Sequence, residues 1–297
     1  MKVSQLLHYY EQGETDFTGV DLEGADLRRV ILMGVNLSHA NLTAANLSRA
    51  FLIKSRLNGA ILHRANLSFA KMNEAQLVNA ELTKANLSGT FLVKSTLSNA
   101  KVSGTKLVAT NLRSSNLDKA NFCGADLTEA NLRSADLSHA NLKWANLSGA
   151  KLSGAKLDQA LLIGANFRQA YLNGVNLNRA ELEGLNFSNA KLNYANLAGA
   201  NLKAANLSQA QMHGARLVDA TLTKANLAGA YLVQANLNFA QLHQANLANT
   251  DLRESSFWGT QLEGANLDNV ILTDIMKRDL ERRANYPYGN NQTMNAI

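Results

Sequence analysis

A large apolar residue returns at every fifth position of this chain, in one register from Phe17 to Leu272. The register covers 52 consecutive five-residue units, residues 15–274, without an insertion. Leu is central in 44 of them, and Phe17, Phe122, Phe167, Phe187, Phe257, Met72, Met212 and Val102 fill the rest. Two residues before the centre the side chain is small, Ala in 36 units. So short a period constrains the architecture before any other feature is read.

Five residues suit neither regular element. On a helix, five steps advance about 500°, so the leucines would spiral around the axis. On a flat strand, five steps change the face, so alternate leucines would point outward. One dry core results only if the chain turns by about 90° in each unit, with the central Leu and the preceding Ala facing inward. Four units then close a square coil, and the fifth begins the next. The expected product is an all-β solenoid of about 13 stacked coils, roughly 60 Å long at about 4.8 Å per coil.

The repeated motif is A-(N/D)-L-x-x, as in Ala25-Asp26-Leu27, Ala125-Asp126-Leu127, Ala135-Asp136-Leu137 and Ala145-Asn146-Leu147. It resembles that of the pentapeptide-repeat family over about 88% of the chain. The resemblance implies the right-handed quadrilateral β-helix of that family and says much less about function, which is diverse there. The long loop-free register and the opening segment Val3–Gly13 resemble the cyanobacterial members. One such relative regulates heterocyst differentiation by binding a partner protein.

A coil of four units predicts that outward positions follow a rhythm of every fourth unit. Asn precedes the centre in 21 units, and ten of these share one phase: Asn46, Asn66, Asn86, Asn146, Asn166, Asn186, Asn206, Asn226, Asn246 and Asn266. One face is therefore expected to carry a ladder of stacked amides, a structural device of cross-β stacking.

The ends break the pattern. In residues 1–14, Val3, Leu6, Leu7 and Tyr10 stand at i, i+3, i+4 and i+7 before Gly13, which predicts a short amphipathic helix capping the first coil. Residues 15–274 form the repeat domain, and 275–297 a C-terminal helix and disordered tail. That helix is expected to take Asp274 as N-cap and to lay Ile275, Met276 and Leu280 on the last coil. The oligomeric state stands open between a monomer and a dimer through the C-terminal segment. The only Pro, Pro287, lies outside the repeats, where no ladder N–H is lost. The single Cys123 follows a central position and is expected to be exposed. No apolar run is long enough for a membrane span and no signal-peptide core precedes the repeats, so the reading is a soluble, cytoplasmic protein.

The sequence offers little to catalysis. Neighbours on a face come from consecutive coils, so His63 is flanked by Thr43 and Thr83, His213 by Asn193 and Val233, and His243 by Thr223 and Glu263. No set supplies the three or four ligands of a metal site. No phosphate-cradling Gly loop, nucleophile elbow or CxxC is present. The expectation is a non-enzyme without cofactor. Thr90, Ser95, Thr105, Thr110 and Ser115 replace Ala and are expected to bond backbone carbonyls at the corners. Phe122 is expected to fill space left by Val102, and Leu185 to widen its coil beside Phe187.

Charge becomes informative once sorted by face. The chain carries +6, and three of the four faces balance cations and anions to within one charge. The fourth, containing residues 50–54, 70–74, 90–94 and onward, carries eight Lys and Arg against four Asp and Glu. Lys54, Lys71, Lys94, Arg113, Arg133, Lys151 and Lys191 lie along it with Phe51, Phe91, Tyr171 and Tyr194. Lys151, Tyr171 and Lys191 are expected on consecutive rungs, within cation–π reach, and Lys54, Glu74 and Lys94 in an alternating ladder. One of four faces must be the most basic, and aromatics stabilise exposed ladders in any case. The same strip also suits a partner surface.

Three functions remain. The first is a non-enzymatic protein-interaction scaffold or regulator that takes an acidic protein partner on the basic and aromatic face. The second is nucleic-acid or anionic membrane-surface binding through that face. The third is the DNA mimicry by which some family members protect type II topoisomerases. It calls for an acidic face, and this chain has none.

Overall fold

The computed structural model describes residues 1–278, and the chain divides into two compact units, Met1–Leu162 and Ile163–Ile297. In the first unit, the residue before each centre forms a parallel bridge with its counterpart four repeats on, from Asp16↔Asn36 to Asn141↔Leu161. The second unit repeats this from Asn166↔Asn186 to Asp251↔Ile271. The four-repeat coil is therefore present in both. Each side of a coil contributes one bridge residue rather than a strand, because two of every five residues turn the corner.

Residues 45–49 show how one repeat makes a corner. Ala45 N–H donates to the Leu42 carbonyl at 3.0 Å and closes a turn. Asn46 N–H reaches back to the Ala25 carbonyl at 2.8 Å, and Leu47 N–H reaches forward to the Asn66 carbonyl at 2.7 Å. Arg49 N–H donates to the Ser68 carbonyl at 2.9 Å. The fifth amide, that of Ser48, donates to the Asn46 side-chain Oδ1 at 3.1 Å. Residues 205–209 repeat the scheme, with Ser208 N–H on Asn206 Oδ1 at 3.1 Å. An unpaired backbone amide is costly wherever water is excluded, so an Asn or Asp before the centre completes the set.

Some repeats that lack Asn or Asp there use a second device. Val78, Val93, Asn193, His213 and Trp258 donate their N–H groups to the Oδ1 atoms of Asn58, Asn73, Asn173, Asn193 and Asn238, one coil back, at 2.9–3.2 Å. Amide-to-amide bonds along the expected Asn ladder do occur, as Asn246 to Asn226 at 3.3 Å and Asn86 to Asn66 at 3.5 Å. They are longer than the turn bonds, so the turn amide is the firmer reason for Asn at this position.

The turn also fixes the backbone. In every repeat from residue 19 to residue 269, the second residue after the centre is left-handed, with Gly at some positions and Arg29, Lys54, Phe69 or Tyr194 at others. The centres from Phe17 to Leu252 are buried, as are most of the small residues before them, whereas Phe257 and Leu262 near the end are half-buried. Leu147 in the first unit and Leu207 in the second are fully covered. Val102 and Phe122 are both fully buried on bridged coils. Phe167 and Phe187 stack at 5.1 Å and 5°, and beside them Leu185 keeps the coil register, its carbonyl accepting the Asn206 N–H at 2.9 Å.

These five hydroxyls at the Ala position find carbonyls in two patterns. Thr90, Thr105 and Thr110 bond the central carbonyl one coil back, that of Leu67, Leu82 and Leu87, at 2.7–2.8 Å. Ser95 and Ser115 bond the central carbonyl of the preceding repeat, that of Leu92 and Leu112, at 2.6 Å. Ser55 also replaces Ala, and its buried Oγ has no partner among the described residues.

Helix α1 spans Val3–Glu11. Leu6 is fully buried, Val3, Leu7 and Tyr10 are half-buried, and the Tyr10 hydroxyl donates to the Met33 carbonyl at 2.9 Å. Helical backbone resumes at residues 274–278. The N-cap there is Thr273 rather than Asp274, because the Thr273 hydroxyl accepts the Met276 N–H at 3.4 Å. Met276 is buried, whereas Ile275 turns outward and is 77% exposed. Leu280 and the tail lie outside the described residues. Cys123 is half-buried rather than exposed.

Candidate functional site: the basic and aromatic face

The residue before each centre on this face forms a bridged ladder. In the first unit it runs Phe51, Lys71, Phe91, Asn111, Asn131, Lys151, and in the second Tyr171, Lys191, Gln211, Tyr231. Neighbouring side chains in such a ladder stand about 4.8 Å apart, close enough to stack. The Lys71 Nζ lies 3.4 Å from the Phe91 ring centroid, and the Lys191 Nζ lies 4.6 Å from that of Tyr171. Phe91 and Tyr171 therefore each gain a cationic cover, and Lys71, Phe91, Tyr171, Lys191 and Lys151 are all half-buried.

The other strip residues are more open. Lys54 is exposed and lies 3.9 Å from Glu74, too long for a strong pair. Among the described residues Lys94 has no carboxylate within 4.0 Å, so the expected Lys54–Glu74–Lys94 ladder closes on one side only. Arg113 and Arg133 are exposed, their backbone amides taken by Asn111 and Asn131 at 3.3 and 3.4 Å. Tyr194 is 65% exposed and meets the edge of His213, with centroids 5.2 Å apart and planes at 86°. Its partner is thus a residue of the next coil, and Gly214 leaves room for the ring.

Two of the histidines pair diagonally, which the rung rule misses. His63 Nε2 lies 3.1 Å from Glu81 Oε2 rather than against its rung neighbour Thr83, and His139 Nδ1 lies 2.8 Å from Asp118, beside the rung neighbour Lys119. His243 contacts Glu263 at 2.8 Å, its expected neighbour, and also Gln261 at 2.7 Å. The Lys101 ammonium, 2.6 Å away and helped by His63, holds the Glu81 carboxyl below its ordinary value. Asp136 is held down by the Ser138 hydroxyl and backbone amide, with Lys156 assisting. These groups come in twos and threes and sit on the surface. Among the described residues no three His, Cys, Asp or Glu are grouped so as to hold a metal ion, and no helix is long and apolar enough to cross a membrane.

The family model described as "Pentapeptide repeats (8 copies)" matches the chain in overlapping or abutting stretches from residue 13 to residue 274. The chain belongs to the pentapeptide-repeat family. Members with known structures fold as right-handed β-helices and are generally structural or interaction proteins rather than enzymes. The chain is similar to HetL, a pentapeptide repeat protein involved in heterocyst differentiation regulation, from the cyanobacterium Nostoc sp. strain PCC 7120. Identity is 30% over 92% of this chain and 98% of that one, with a TM-score of 0.22. It is similar to a pentapeptide repeat protein from the thylakoid lumen of Arabidopsis thaliana, at 29% identity over 37% of this chain and 77% of that one, TM-score 0.36. Full-length QnrB1, a plasmid-mediated fluoroquinolone resistance protein, shares 17% over 88% and 100%, TM-score 0.24. No curated protein sequence matches.

Proposed function

We propose that this pentapeptide-repeat protein is a non-enzymatic interaction scaffold that receives an acidic protein partner on its basic and aromatic face, in the cytoplasm. One observation carries the reading. In the first unit this face has no carboxylate after Glu74, while Lys94, Arg113, Arg133 and Lys151 follow one another on four coils. Such a run repels itself unless an anion lies against it. Phe91, Tyr171 and Tyr194 add the aromatic area that anchors interfaces. The coil number near 13 and the two end caps belong to the same reading, the caps keeping the chain from associating end to end.

The test is charge reversal. A Lys94→Glu, Arg113→Glu, Arg133→Glu, Lys151→Glu variant is compared with a control carrying Arg64→Glu, Lys84→Glu, Lys143→Glu and Lys224→Glu. Both are used as bait in a lysate of the source organism. The strip variant is expected to lose a partner that wild type and control retain. Equal loss in both, or loss in the control alone, refutes the strip. Retention of duplex DNA or phosphatidylserine vesicles with a steep salt dependence would instead favour a polyanion surface.

A further inference from the structure

A second place on the first unit carries charge that no acid among the described residues compensates. Helix α1 packs on the first coils through Leu6, and beside it lies an open groove of about 790 Å³, walled by Val3 and Leu7 of the helix and by Arg28, Arg29, Val30, Ser48 and Arg49 of the coils. Arg28 is already engaged, as its guanidinium grips Asp26 side-on at 2.7 and 2.6 Å. That pair lowers the Asp26 carboxyl and occupies the one acid in the wall. Arg29 and Arg49 occupy the same left-handed corner position on bridged coils, so their backbones stand about 4.8 Å apart. Both are exposed, and among the described residues neither has a carboxylate within 4.0 Å. Arg49 has the Phe69 ring, at 5.9 Å, on its far side. Two like charges are thus stacked in a groove that also presents an apolar, half-buried patch of Val3, Leu7 and Val30 beside the Arg28–Asp26 pair and Ser48.

We infer that this groove is a docking site for an acidic peptide segment of a partner protein, with Arg29 and Arg49 taking a carboxylate and an adjacent apolar side chain lying on Val3, Leu7 and Val30. Guanidinium forks match carboxylates in geometry and form charge-assisted bonds to them. A small inorganic anion would leave the apolar wall wet, and a hydrocarbon alone would leave both arginines unpaired. A nucleic-acid backbone would have to run several phosphates past Asp16, Asp21, Glu23 and Asp26 of the first coil, whereas a peptide need bring only one carboxylate, to Arg29 and Arg49. A segment with an acid beside an apolar residue satisfies both walls, and the groove is large enough for several residues. The inference shares with the scaffold reading only the premise of a protein partner, and uses no residue of the strip.

The experiment is panning of a phage-displayed random twelve-residue library on the immobilised full chain, followed by fluorescence polarisation with the enriched peptides. Enriched sequences are expected to place Asp or Glu beside Leu, Ile, Val or Phe. Their affinity should fall about tenfold or more in Arg29→Gln/Arg49→Gln, and again when the peptide acid is changed to its amide. It should hold in the strip variant. The double variant should melt at or above the wild-type temperature, since it removes a like-charge repulsion. No enrichment, peptides without acids, equal binding to the double variant, or loss of binding through unfolding each overturn the site. Peptides lost only by the strip variant would overturn the groove and leave the strip standing.

Discussion

Thr90 donates its buried hydroxyl to the Leu67 carbonyl at 2.7 Å, bonding one coil to the one before it. Ser55, at the same position of its own repeat, has no partner for its Oγ among the described residues. The two residues therefore sit on opposite sides of the same rule: a buried hydroxyl stabilises when bonded and costs when not. Thr90→Val should destabilise by about 1 kcal/mol, and Ser55→Ala should stabilise by about 1 kcal/mol. Thermal melting by far-UV circular dichroism reads both. Destabilisation by Ser55→Ala would mean that its hydroxyl finds a bond in solution.

Leu147 tests the inward register of the first unit. It is fully buried among the stacked centres. Leu147→Asp would place a carboxylate there with no donor to meet it, so the chain is expected not to fold. A melting temperature within a few degrees of wild type would contradict the inward assignment.

Asp251 sets a pH dependence in the second unit. Its carboxylate is buried and accepts the Arg253 guanidinium at 2.7–3.2 Å and the Arg253 backbone N–H at 3.2 Å. These bonds, the side-chain one foremost, hold its folded-state value below the ordinary aspartate value. A carboxyl depressed on folding stabilises above its unfolded value and loses that contribution as pH falls through the folded one. Asp251→Asn should therefore cost about 1 kcal/mol at neutral pH. The difference from wild type should hold down to about pH 4 and shrink below it. A gap that stays constant to about pH 2.5 would remove the ionic origin.

Much of this was legible from the period alone. Five-residue spacing forced the coil, and the centres from Phe17 to Leu247 are buried as the spacing requires. The hydroxyls of Thr90 and Ser95 were legible too, because a polar atom facing inward needs a carbonyl. What a one-dimensional period cannot carry is the diagonal. His63 to Glu81 and His139 to Asp118 join positions that are not rung neighbours, set by side-chain reach across the coil rather than by register. The role of Asn was hidden for a related reason. The Asn46 Oδ1 serves the Ser48 amide two residues on, and the clue was that Asp alternates with Asn in the motif, which a ladder of amides does not explain. On the candidate face, the Lys191–Tyr171 contact followed from rung order, whereas the turn of Tyr194 onto His213 depended on a Gly one coil away.

That Gly supplies the last prediction. A Cβ built on Gly214 would lie 2.6 Å from the Tyr194 ring, and Gly214 is left-handed with φ +62°. Two penalties are therefore mixed in Gly214→Ala: backbone strain of about 1 kcal/mol, and displacement of the ring from its edge contact with His213. Gly124 separates them, because it has φ +65° and nothing within 4 Å of its Cβ position. Ala44, Ala109 and Ala204 already hold φ of 53–55° in this chain, so the backbone tolerates alanine there. Gly124→Ala should cost the strain alone, and Gly214→Ala about 0.5 kcal/mol more, the scale of an aromatic pair. In a Tyr194→Ala background the excess should vanish. Equal costs for the two glycines in the wild-type background, measured by urea melts, would show that the Tyr194 ring gives way freely and that the His213 contact holds nothing in place.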